Sequence, residues 1–173
     1  MTRERSLILD SRQIGQKLMR IAHEIHENHY KEKEIIVIGI AGRGSEVASR
    51  LGKLLSEITD VRIVVETIEL NKEKPAGGEV NYSGEVKSLK GKIIILVDDV
   101  LNSGRTLIYA SRYLLDAEPK GLSIATLVDR FHRRFPIRAD YVGLTLSTNI
   151  KEHVTVEMNK GKEAVYLEDS IPA

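Results

Sequence analysis

Apolar residues along this chain follow two alternating rhythms. Between Ser11 and His29, Ile14, Leu18, Ile21 and Ile25 fall at spacings of four, three and four, one face of a helix, and Asp10 or Ser11 stands where a cap belongs. Ile35-Ile36-Val37-Ile38-Gly39-Ile40 is instead an unbroken, mostly β-branched run, as expected for a strand covered on both faces. Ala41-Gly42-Arg43-Gly44 reads as a turn, and Val47, Leu51, Leu54 and Ile58 mark a second amphipathic helix. Strands are predicted at Val61–Leu70, Ile93–Val97 and Leu122–Val128, with a helix over Thr106–Ala117 and short strands at Tyr141–Leu146, His153–Glu157 and Ala164–Leu167. Strands alternating with helices predict an α/β fold: a mostly parallel central sheet flanked by helices on both faces.

Asn71 to Lys92 breaks the pattern. Pro75, Gly77, Gly78, Gly84 and Gly91 sit there among charged residues, which predicts a loop with a short hairpin at most. A loop of this length inside a compact domain is usually functional, and its 71–84 portion is expected to be a mobile lid. No repeat or boundary divides the chain, so residues 1–173 are expected to form a single domain.

Lys plus Arg number 26 and Asp plus Glu 25, for a net charge of +1, which argues against a general nucleic-acid coat or a polybasic membrane anchor. With no cysteine, disulfides, zinc–thiolate sites and thiol catalysis are excluded. No apolar run reaches the roughly 20 residues of a membrane span. The charged N-terminus does not resemble a signal peptide, so a cytoplasmic location is expected. His26 and His29 are read as a solvated helix end rather than a metal pair.

The chemistry is concentrated in Ile93-Ile94-Ile95-Leu96-Val97-Asp98-Asp99-Val100-Leu101-Asn102-Ser103-Gly104-Arg105-Thr106. An apolar strand is expected to end in two carboxylates, followed by a short Ser/Gly/Thr loop and a helix. Ligands of open parallel sheets bind beyond the carboxyl ends of the strands. A loop opening a helix offers backbone N–H groups and the positive end of the helix dipole to an anion. Helix capping would account for one Asp or Ser, but not for paired acids ahead of Ser-Gly-Arg-Thr. The acids suit a sugar diol and a hydrated Mg²⁺. Gly39-Ile40-Ala41-Gly42-Arg43-Gly44 also joins a buried strand to a helix; taken alone it is no more than a tight turn.

The 93–106 segment resembles the phosphoribosyl-pyrophosphate (PRPP) motif of type I phosphoribosyltransferases. Leu127-Val128-Asp129-Arg130, His132-Arg133 and Pro136-Ile137-Arg138-Ala139-Asp140-Tyr141-Val142-Gly143 resemble the PyrR branch of that family, which combines pyrimidine-operon attenuation with uracil phosphoribosyl transfer. The resemblance implies the type I phosphoribosyltransferase fold, with a small hood built from N- and C-terminal segments. It implies that Asp98 and Asp99 hold the ribose hydroxyls and, through the substrate, Mg²⁺. Asn102, Ser103, Gly104, Arg105 and Thr106 would hold the 5′-phosphate. Ala41, Gly42, Arg43 and Gly44 would form the pyrophosphate loop, with Lys72 of the lid closing over the diphosphate. Val128 would pack on the base while backbone groups at Asp129 and Arg130 read its edge. Arg20 and His23 fall at positions that contact RNA in that branch, and a homo-oligomer is implied.

Three activities follow from the resemblance: uracil plus PRPP giving UMP and pyrophosphate, a nucleotide-sensing attenuator that binds an mRNA leader with little catalysis, and phosphoribosyl transfer to another base such as a purine. Asn102 weighs against a purine. Enzymes of the family acting on 6-oxopurines carry an aspartate there, and an amide cannot exchange a proton in the working pH range.

Overall fold

The computed structural model describes residues 4–169. A capping box opens α1 (Ser11–His29): Gln13 N–H donates to Asp10 Oδ1 at 2.8 Å, and Asp10 N–H donates back to Gln13 Oε1 at 2.9 Å. Ile14, Leu18, Ile21 and Ile25 are at most 1% exposed, so the apolar stripe of α1 belongs to the core of this chain.

The central sheet contains β2 (Glu34–Ile40), β3 (Arg62–Leu70), β4 (Val80–Tyr82), β5 (Ile93–Leu101), β6 (Gly121–Asp129) and β7 (Tyr141–Thr145), in the order β4-β3-β2-β5-β6-β7. Every pairing is parallel except β3 with β4. Helices α1 and α2 (Arg43–Ile58) cover one face and α3 (Arg105–Leu115) the other. Alternate residues of β2 and β5 therefore enter opposite cores: Ile35, Val37, Ile93 and Ile95 one, Ile36, Ile38, Ile94 and Leu96 the other. Both runs look uniformly apolar because both faces are covered. The hairpin expected after Val61–Leu70 is β3–β4, followed by a 3₁₀ turn at Val86–Leu89.

A second, three-stranded antiparallel sheet joins β1 (Arg5–Leu9) to β9 (Ala164–Asp169) and β8 (Glu152–Glu157), the N- and C-terminal hood. Leu9, Val156 and Val165 anchor it in the core shared with α1 and α2. Among the described residues no helix is long and apolar enough to cross a membrane.

Two boundaries differ from expectation, and both matter for the site. β5 does not stop before the acids but continues through them to Leu101, because β6 extends alongside it and supplies a ladder partner as far as Leu101↔Asp129. α2 starts at Arg43, so half of the expected turn is the first turn of the helix. The crossing of β2 into α2 leaves no space at Gly39, where a Cβ would lie 2.5 Å from Ser45 Cα and 2.7 Å from Ala48 Cβ. Gly39→Ala is therefore expected to destabilise the fold by about 3 kcal/mol through overpacking against backbone, read as a lower urea midpoint.

Candidate functional site

Every sequence-assigned residue of the acid pair, the two phosphate loops and the lid lysine lines one cleft at the carboxyl end of the sheet. The cleft measures about 420 Å³ and is walled by Ile40, Ala41, Gly42, Arg43, Gly44, Lys72 and the whole stretch from Asp98 to Leu107. Residues more than 50 positions apart in sequence, from Gly44 to Asp98 and beyond, meet because β2 and β5 are adjacent parallel strands and both send their following helices away from this edge.

Both helices open at a glycine of positive φ. Gly42 (φ 92°) precedes α2 and Gly104 (φ 83°) precedes α3, and neither glycine has a side chain to cap with. In α3 the Arg105 N–H donates to Ser103 Oγ at 3.3 Å, which leaves the later N–H groups of that first turn, with those of α2, toward one cavity, an arrangement that attracts anions. Gly104 is required twice over: its φ is left-handed, and a Cβ would sit 2.3 Å from Ile137 Cγ2. The loop is held from behind, where Arg134 and Phe135 donate backbone N–H to the Ser103 carbonyl at 2.9 and 3.2 Å.

The acids occupy the last turn of the ladder. Asp98 pairs with Thr126, and the Thr126 hydroxyl donates to the Asp99 carbonyl at 3.1 Å. Asp98 Oδ1 accepts the Asp99 N–H at 2.9 Å. Burial, reinforced by the charge of Asp99, holds the Asp98 carboxyl well above the usual carboxylate range, and the Lys72 ammonium pulls the other way. A Cβ on Gly44 would lie 2.9 Å from Asp98 Oδ1, so glycine lets the first turn of α2 pass against this acid.

Not every assigned residue reaches the cleft. Val128 is fully buried in the α1/α2 core and has no face open to a ring. The Asp129 carboxylate accepts from Phe131 N–H at 3.0 Å and pairs with Arg133 at 2.8 Å. Arg130, only 8% exposed, is absent from the lining yet donates to Asn102, which belongs to it. Arg20 is engaged by the β7 carbonyls of Val142 and Gly143 at 2.8 and 2.9 Å and by Glu24, whereas His23 is exposed. His29 lies near the Tyr141 hydroxyl at 3.4 Å and burial lowers its pKa, so His29 is partly packed, while Glu27, Asn28 and Tyr30 beside it are exposed. The buttress of Arg134, Phe135 and Ile137 carries no local signal that it would fold back on Ser103 and Gly104.

Among the described residues no group of three or more His, Cys, Asp or Glu side chains converges as a metal site. Asp98 and Asp99 supply hard oxygen donors of the kind Mg²⁺ prefers, so such an ion fits here only if a ligand completes its shell.

The model of the phosphoribosyl transferase domain family matches residues 4–160. Relatives include a bifunctional protein PyrR of Clostridium novyi, 37% identical over 90% of this chain and 92% of its own length. A bifunctional protein PyrR of Alkaliphilus metalliredigens is 39% identical over 94% of both chains. Among solved structures, a hypoxanthine-guanine phosphoribosyltransferase of Bacillus anthracis superposes with a TM-score of 0.70 over 84% of each chain at 24% identity, a likeness of fold. With the family model matching most of the chain and the PyrR relatives 37–39% identical over nearly all of it, this chain belongs to the type I phosphoribosyltransferase family, on its PyrR-like side.

Proposed function

We propose that this protein is a cytoplasmic enzyme that transfers the phosphoribosyl group of PRPP to uracil, giving UMP and pyrophosphate. The observation that carries this reading is the single cleft in which two glycine-opened helix N-termini, the half-buried acid pair and Lys72 converge. A sugar bearing a phosphate at one end and a diphosphate at the other matches that spacing of anion sites about a diol-binding centre. The PyrR name of the relatives favours a pyrimidine base.

In this mechanism the loop from Asn102 to Thr106 grips the 5′-phosphate through the start of α3. The Asp98 and Asp99 carboxylates accept hydrogen bonds from the ribose hydroxyls. The Ala41–Gly44 turn, with Arg43 and Lys72, holds the diphosphate. The base N1 forms its bond to ribose C1 as the C1–oxygen bond to diphosphate breaks; the bonding pair leaves with diphosphate and the N1 proton is lost from the ring. Bound Mg²⁺ supplies neutralisation of the diphosphate charge. The protein contributes mainly alignment and fixed charge, with water excluded when the loop joining β3 to β4 covers the cleft; the rest of the expected 71–84 lid is largely taken up by β4, which is paired with β3.

Asp99→Asn is expected to keep the fold and lower kcat/KM by at least about tenfold, equivalent to 1.4 kcal/mol, in a pyrophosphate-release assay with uracil. Activity within about twofold of wild type would reject the ribose assignment. Lys72→Ala is expected to reduce kcat by about tenfold or more, because it removes a fixed positive charge from the departing diphosphate; an unchanged rate would remove Lys72 from the mechanism. Asp98→Asn should abolish turnover yet stabilise the unliganded protein. The folded carboxyl titrates above its unfolded value, so its contribution to stability is complete below the unfolded pKa and is lost as pH rises through the folded one. The variant should therefore melt higher than wild type at neutral pH, with the gap closing as pH falls into the ordinary carboxylate range, and an equal or lower melting temperature at neutral pH would reject the buried-charge account.

A further inference from the structure

Arg130 leaves β6 immediately beyond the last ladder pair and is 8% exposed; burial lowers its pKa, and the charge of the Glu152 carboxylate offsets part of that cost without a contact ion pair between the two. Its guanidinium is spent on three neutral acceptors. Nη1 donates to Asn102 Oδ1 at 2.9 Å, Nε to Thr148 Oγ1 at 3.0 Å and Nη2 to the Glu152 carbonyl at 2.5 Å. These partners lie on the rim of the cleft, on the loop after β7 and on the first residue of the hood strand β8. A buried arginine that draws a cleft loop, a connecting loop and the hood together does more than fill space.

The orientation of Asn102 follows from the chemistry of its partner. Guanidinium carries donors only, so the oxygen of the amide must face Arg130 and the –NH₂ must face away from it. Asn102 itself is exposed on the cleft wall. We propose that Arg130 is a positioning residue that fixes the Asn102 amide so that its –NH₂ is presented to the bound substrate, making this stretch of the rim selective for a hydrogen-bond acceptor. The acceptor is a phosphate oxygen of PRPP or a carbonyl oxygen of the base, and both are lone-pair oxygens. A ring N–H at that point would meet donor against donor. The inference rests on the phosphoribosyltransferase reading and adds to it a polarity for one wall of the site.

A double-mutant cycle tests it. Asn102→Ala, Arg130→Gln and the double variant are compared by KM for PRPP, KM for uracil and kcat, with melting temperatures measured alongside. If Arg130 acts through Asn102, each single change raises one of the two KM values by about fivefold or more, and Arg130→Gln adds almost nothing once Asn102 is alanine. Arg130→Lys should not rescue, because one ammonium cannot reproduce the planar fork that spans three partners. A rise confined to PRPP identifies the acceptor as phosphate; a rise confined to uracil identifies it as the base. Independent, additive losses would overturn the proposal.

Should Arg130→Gln not fold, Asn102→Asp carries the test. It keeps a partner for Arg130 on the exposed rim but replaces donors with a carboxylate, and should raise the same KM by about tenfold at an unaltered melting temperature. Both KM values within about twofold of wild type would sink the assignment while leaving the enzyme reading intact. Wild-type protein that neither binds PRPP nor releases pyrophosphate with any base would sink both.

Discussion

Two carboxylates side by side at the end of a buried parallel ladder are the constraint on which the rest of the site depends. Burial, reinforced by the charge of Asp99, holds the Asp98 carboxyl well above the usual carboxylate range, with Lys72 pulling the other way. The fold tolerates this because β6 runs on beside β5 as far as Leu101 and keeps the backbone at the acids hydrogen-bonded. The strain is concentrated at the edge where ligands of parallel sheets bind, and where the ligand proposed here brings hydroxyl donors and counter-ions.

Around the acids, glycines shape the cleft. Gly42 and Gly104 turn the chain through positive φ into α2 and α3, and only the first N–H of α3 is taken up locally, by Ser103 Oγ. Gly39 and Gly44 allow β2, α2 and Asp98 to approach within contact distance. Lys72 contributes from the loop that joins β3 to β4, close enough to bias the charge of Asp98.

Behind the phosphate loop stands a layer contributed by residues 130–137. Arg134 and Phe135 hold the Ser103 carbonyl, Ile137 abuts Gly104, and Arg130 ties Asn102 to Thr148 and to the hood. The hood is thereby fixed relative to the cleft through hydrogen bonds as well as through Val156 and Val165 in the shared core.

The sequence by itself determined the α/β class, the helices α1 and α3, the strand β2 and the succession of acid pair, loop and helix after β5, because apolar periodicity and the Asp-Asp…Ser-Gly-Arg-Thr order are local properties. It could not show that β5 runs past the acids or that α2 begins at Arg43, since a strand persists as long as a neighbour supplies ladder bonds and a helix can start wherever a glycine permits the turn. Nor could it show that Val128 is sealed in the core, that Arg20 is occupied by carbonyls of β7, or that Arg130 points at Asn102. Those were decided by tertiary structure, because burial and hydrogen-bond partnership depend on which distant segment arrives at the same place, and no pattern within a short window encodes that arrival.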